Sequence, residues 1–438
     1  MWQKLQGITG RILNSNTVSV AASQYIAVSI GFFYNLVLAR SLGPSEYGTV
    51  ALVMAYPTLI WTFLSVKPMT VTAKYIAQFR TSRQPLEILS ICKVSYGLDL
   101  LSAILTVIIV LVSGRWVVIN IYKMPSLYWL TVGYSFEFLF LALVGTSQAI
   151  LSSWNKFRWL SIFTILSKVI TFVLVLPCLL NNLGVPGVIL GTVAGELLTG
   201  LAIFCLATYL MYRQCMGFWW QSSFNQLTLI SKEVSGLFSW NYLLVTLTGL
   251  TAQVPLMLLG RYRSVEEVGY YRLATSLVTA SSYLEKAIGQ VLYPTLCSRL
   301  VNENWVKIRK SLKQLTLERG IPLSLFLFLA ILLIPTLIQE LFGNYYIPMI
   351  RGTQIMILAT AIRTCFYWLN PCYYALGKIK LWTKGYSVYA AFTLCGAWLL
   401  IPQAGFYGWS YIFSFSTIGF IFLMLFLLLR YQNELFCL

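Results

Sequence analysis

Apolar runs of eighteen residues or more follow one another from near residue 17 to near residue 429, parted by short polar stretches. A helix of that length crosses roughly 30 Å of hydrocarbon. The pattern predicts twelve spans, near 17–39, 48–66, 94–114, 126–148, 159–178, 186–209, 237–259, 268–292, 320–340, 351–372, 384–401 and 407–429. The first is too long and uninterrupted for a cleaved signal sequence and reads as a retained span. The longest segments outside the spans, near 67–93, 210–236 and 293–319, are too short to house a catalytic domain.

The polar hairpins between spans repeat. "LVLARSLGPSEYGTV" places Arg40, Glu46 and Gly48 at the same spacing as Arg261, Glu267 and Gly269 in "LGRYRSVEEVGYYRL", at an offset of 221 residues. "NKFRW" and "GKIKL" match at 222, and "LGVPG" and "AGFYG" at 221. Three ordered connections at nearly one offset indicate duplication. The chain divides into residues 1–209 as a first six-helix bundle, 210–236 as a linker, and 237–438 as a second bundle. Six is even, so both halves start on the same side of the membrane, which predicts a parallel repeat about an axis along the membrane normal. In the hairpins, Gly43 and Pro44 make the first turn, Glu46 lies at the start of the second span and pairs locally with Arg40, and Arg40, Glu46, Arg261 and Glu267 are candidates for outer gating.

Composition agrees: 58% of residues are apolar, 10% are charged, and there is no histidine. This excludes a soluble domain and leaves little for acid–base catalysis. With the N-terminus placed in the cytoplasm, 21 of the 31 Lys and Arg fall in cytoplasmic segments and 6 on the opposite side. That bias orients the chain with both termini inside and explains most of the +18 net charge without nucleic acid. Attraction to anionic lipid headgroups suffices as its partner. The nine cysteines are scattered without metal-binding or disulfide spacing, so neither a metal nor a cofactor is expected.

Eight ionisable residues lie inside spans: Asp99, Glu137, Lys168, Glu196, Arg272, Glu285, Lys286 and Arg363. Each would cost roughly 2.5–3.5 kcal/mol at a helix centre facing lipid, which predicts an interior location. Helical spacing gives each polar company. Arg272, Ser276, Thr279, Tyr283, Lys286 and Gln290 form one stripe on the eighth span, Ser95, Asp99, Ser102 and Thr106 another on the third, and Thr360, Arg363, Thr364 and Tyr367 cluster on the tenth. The stripes point to a wet cavity between the halves. Lys168, Arg272 and Arg363 suit an anionic ligand, while Asp99, Glu137 and Glu196 suit a coupling ion or serve to neutralise those cations. Glu285, about 100° around the helix from Lys286, reads as a structural partner.

"LARSLGPSEYG" and "SVEEVGYYRLA", with the basic segments after spans two and eight, resemble the polysaccharide-flippase branch of the multidrug/oligosaccharidyl-lipid/polysaccharide exporter superfamily. The resemblance implies an all-α fold of about twelve transmembrane helices in two six-helix bundles around a cationic cavity. It also implies a bacterial inner-membrane flippase for a polyprenyl-pyrophosphate-linked oligosaccharide, used in O-antigen, capsule or exopolysaccharide assembly beside polymerase and assembly proteins. A drug or metabolite antiporter of the same fold is the nearest alternative. A flippase for the peptidoglycan precursor is comparable, and a membrane polysaccharide polymerase or ligase is the enzyme-class rival. A major-facilitator transporter shares the parallel halves but not the GxxxDRxGRR-type loop.

Overall fold

A computed structural model describes residues 15–65, 69–223, 237–302 and 305–435. Among them there is no strand: 92% is helix. Hydrocarbon leaves no water to satisfy backbone groups, so a chain of this apolarity closes its hydrogen bonds within helices. In order these are α1 (Ser15–Leu64), α2 (Met69–Thr81), α3 (Pro85–Asn120), α4 (Tyr128–Ser135), α5 (Glu137–Ser153), α6 (Phe157–Leu180) and α7 (Gly184–Cys215). After the linker follow α8 (Leu237–Tyr262), α9 (Val265–Asn302), α10 (Trp305–Leu315), α11 (Ile321–Phe342), α12 (Ile350–Cys365), α13 (Leu369–Ala375) and α14 (Ile379–Leu435). Eight described segments are long and apolar enough to cross a membrane. Two of them, α1 and α14, carry two predicted spans each and bend at Gly43 and Gly405.

Two predicted spans are interrupted. The fourth breaks at Phe136, between α4 and α5, and the tenth breaks after Cys365, between α12 and α13. Both breaks sit near an ionisable residue, Glu137 and Arg363. The eighth span, on α9, falls outside the apolar set because of its charges.

The turns preserve the duplication in their backbone. Left-handed conformations recur at Lys123 and Gly343, at Asn155 and Gly377, and at Gly184 and Gly405, offsets of 220, 222 and 221 residues. Asn and Gly are the residue types that reach this region at least cost, whereas Lys123 adopts it against preference.

The chain packs as two compact units. Of the described residues, one holds those within 15–34, 56–120 and 124–239, and the other those within 35–55, 121–123 and 240–435. The opening hairpin thus belongs with the second unit by packing, whereas the sequence reading placed it in the first bundle. In the first unit, α6 and α7 approach closely along a glycine ladder. A Cβ on Gly187, Gly191 or Gly195 would lie 2.5–2.8 Å from Leu183, Cys178, Val175 or Thr171. Small residues four apart let two helices meet backbone to backbone, which dispersion rather than the hydrophobic effect rewards in lipid. The amphipathic α2 sinks Val71, Ile76 and Phe79 into this unit's core beside Ile91, Cys92 and Tyr96.

In the second unit α10 does the same with Ile308 and Leu312, against Leu296, Tyr367, Trp368 and Cys372. Each such residue contributes about 1.5–3 kcal/mol over leaving it exposed. The other face of α10 carries the exposed Lys307, Arg309, Lys310 and Lys313.

Candidate functional site

The second unit carries an open-sided cavity of about 810 Å³. Along α9 its lining runs Thr279, Ser282, Glu285, Gly289 and Tyr293, at steps of three, three, four and four. Among the described side chains, the predicted stripe shares only Thr279 with this face. Arg272 is half-buried near the other end of the helix and interacts with the Tyr47 hydroxyl of α1. Ser276 and Tyr283 are also half-buried and do not line the cavity. Lys286 and Gln290 lie on α9, but their side chains are outside the described residues. Counting polar residues cannot tell a wet face from one that hydrogen-bonds to neighbouring helices.

Glu285, expected off the cavity face as a structural partner, lines the cavity and forms an ion pair with Arg363. Arg363 Nη2 donates to Glu285 Oε1 at 3.3 Å, and the Thr364 hydroxyl donates to the same oxygen. The two side chains are 33% and 14% exposed, so each keeps one side open to the cavity. Arg363 Nε is buried without a protein partner among the described residues. Tyr367, also predicted, lines the cavity with Arg319 beside its hydroxyl.

The remaining wall is aromatic. Trp382, Tyr386 and Tyr389 occupy one face of α14 at steps of four and three and surround Phe420, with ring centroids 5.1, 5.8 and 5.4 Å from it. Asn370 and Thr417 add polar groups. The sequence reading passed over these residues because aromatics at helical spacing in an apolar span look like core. The available signal was three amphipathic rings on one helix face.

The first unit treats its charges differently. Ser95, Asp99, Ser102 and Thr106 are all buried and locally satisfied. Thr146 donates to Asp99 at 2.8 Å, Ser95 pairs with Thr72 at 2.6 Å, and Ser102 donates to the Leu64 carbonyl at 2.9 Å. This stripe binds helices together instead of facing a wet space. Glu137 on α5 and Glu196 on α7 interact electrostatically with the exposed Lys168 on α6. One Glu137 oxygen, Oε2, is buried with no hydrogen-bond partner among the described residues.

The hairpin residues hold turns. Arg40 reaches the Glu340 carbonyl at 3.4 Å instead of pairing with Glu46, which is exposed. Arg261 lies over the Tyr262 ring at 5.3 Å. Glu267 accepts the Phe406 N–H at 2.7 Å, capping the helix that resumes after the Gly405 bend, while Arg263 donates to the Ile401 carbonyl at 3.3 Å.

Residues 37–351 match the family model described as polysaccharide biosynthesis protein. No curated protein matches the chain in sequence. Among solved structures, the lipid II flippase MurJ in an inward closed conformation aligns with TM-score 0.73 at 15% identity, over 94% of this chain and 87% of that one. An inward-facing multidrug resistance MATE family transporter aligns with TM-score 0.75 at 12% identity, over 94% of both chains. A superfamily transporter from Pyrococcus furiosus, described as having a binding pocket of reverse polarity, aligns with TM-score 0.63 at 13% identity, over 96% and 95%. At these identities the likeness shows the fold, two six-helix bundles, and the family match supplies the rest. The chain belongs to the polysaccharide biosynthesis protein family, and it is a multi-pass membrane protein with the fold that those flippase and transporter structures share.

Proposed function

We propose that this protein is a flippase that moves a polyprenyl-pyrophosphate-linked oligosaccharide from the cytoplasmic to the outer leaflet of a bacterial inner membrane. The observation that carries the reading is the family match over residues 37–351, which ties a transporter fold to polysaccharide assembly. No covalent bond changes in such a step, so the protein's work is physical. The polar headgroup must cross about 30 Å of hydrocarbon while its lipid tail stays in the bilayer. A protein-lined path that replaces lost hydration lowers that barrier, and opening it to one side at a time prevents leakage. Lys168 and Arg272 are our candidates for the pyrophosphate, as cations in a low-dielectric setting. The Lys and Arg bias supports an orientation with both termini in the cytoplasm, and polymerase and assembly proteins would take over the unit on the far side.

Cells lacking the protein test this. A complete lipid-linked oligosaccharide held in the cytoplasmic leaflet is expected. Completed units that reach the outer leaflet and stay unpolymerised would move the block downstream and revive the polymerase reading. Arg272→Ala should lower export several-fold at a normal membrane level of protein.

A second reading, an ion-coupled antiporter, draws on the unpartnered Glu137 oxygen beside Glu196. An unchanged lipid-linked pool in the deletion cells would favour it.

A further inference from the structure

We infer that the cavity inside the second unit is a subsite for uncharged sugar rings, separate from whatever holds the pyrophosphate. The inference rests on the flippase reading and names the part of the headgroup that this cavity takes. Charge is the first argument. Among the described lining residues, Glu285 and Arg363 are the one acid and one base, they bond to each other at 3.3 Å, and their charges cancel. A pyrophosphate would have to displace Glu285 from Arg363 and lie against the stranded carboxylate, so a neutral ligand fits better.

Shape and chemistry are the second argument. A sugar ring has apolar C–H faces and a belt of hydroxyls, and the lining offers complements to both. Trp382, Tyr386 and Tyr389 line one face of α14 as flat, apolar surfaces with polar edges. In the same lining, Thr279, Ser282 and Asn370 supply hydroxyl and amide groups. The Glu285 side chain, partly exposed at the cavity, adds a carboxylate acceptor for sugar hydroxyls. The volume, about 810 Å³, lies in the range of small-ligand pockets and is large enough for a short oligosaccharide. A site that bound only the lipid tail would have no use for these polar groups.

The test is saturation-transfer NMR on the full-length protein in lipid nanodiscs. The probe is the oligosaccharide freed by mild acid from the cells' lipid-linked pool and stripped of lipid and phosphate. Wild type is expected to bind it, and Tyr386→Leu and Asn370→Ala are each expected to weaken binding by about five- to tenfold. Tyr345→Leu, an exposed aromatic outside the cavity, should bind as wild type does. Inorganic pyrophosphate should not compete. Undiminished binding by both cavity variants would place the sugar elsewhere and overturn the inference. So would absence of binding by wild type, or displacement of the probe by pyrophosphate. The leaflet experiment is independent: normal delivery to the outer leaflet in deletion cells would defeat the flippase reading, while loss of binding on Tyr386→Leu would still stand as evidence for the subsite.

Discussion

Two residues show how backbone and charge constraints act one position at a time. Gly377 turns the chain between α13 and α14 at φ 67°, and its counterpart in the first half, Asn155, does the same at φ 56°. The repeat therefore records which side chain the turn accepts. Gly377→Asn should leave the melting temperature within a degree or two of wild type. Gly377→Val, β-branched at positive φ, should cost about 1–2 kcal/mol and lower it by several degrees. Equal melting of the two variants would mean that the turn relaxes freely. The Glu285–Arg363 pair poses the opposite case, since each partner exists to neutralise the other. Glu285→Ala and Arg363→Ala should each destabilise the protein by stranding a charge. The double variant should lose less than the sum, with a coupling of about 1–3 kcal/mol, between the exposed and buried extremes for such pairs. Additive losses would show that the pair contributes nothing as a pair.

At the scale of elements, the contact that answers the opening hairpin is one between equivalent residues. A Cβ on Gly48 would sit 2.0 Å from the Val265 carbonyl oxygen, and one on Gly269 would sit 2.2 Å from the Pro44 carbonyl oxygen. Pro44 and Val265 stand at the repeat offset, as Gly48 and Gly269 do, so the two equivalent helix starts cross with each glycine under the other's backbone. The obstructing atoms are main chain and cannot rotate away. Gly269→Leu should therefore part α9 from the second limb of α1 and sharply reduce folded protein in the membrane, measured by monodisperse size-exclusion yield. Gly419→Leu, where nothing lies within 4 Å, should not. The spacing of these glycines was legible in the sequence, but their mutual contact was not, because one chain's hydropathy carries no pairing information. For the same reason the third-span stripe could be seen and its meaning mistaken. Thr146 and Thr72, which consume Asp99 and Ser95, lie on other helices. The aromatic wall of α14 is hidden in the same way, since its residues read as core until Asn370 and the ion pair are found in the same cavity lining.

At the scale of the whole molecule, length, apolarity and repeated turns made the twelve spans and the duplication readable, because hydrocarbon imposes helix on every crossing segment. Sidedness comes from a different force. Each Lys or Arg near an anionic leaflet gains about 1 kcal/mol, and dragging it outward during insertion costs more than leaving it behind. With a 21 to 6 division of cations, these small terms favour the cytoplasmic termini proposed above. The sharpest contrast lies between neighbouring turns of one hairpin series. The turn at Asn155 carries Lys156 and Arg158, whereas the turn at Asn181 and Asn182 carries no charge. A reporter active only in the cytoplasm should fluoresce when fused after Asn155 and after Gly377. One active only outside should signal when fused after Asn182. Replacing Lys156 and Arg158 with Gln should leave this pattern intact, because five Lys and Arg near 67–93 and six near 293–319 still hold their segments inside. An outside signal from Asn155 in the unmodified chain would invert the molecule, turn the exposed basic face of α10 away from the cytoplasm, and require the flipping direction proposed here to be reversed.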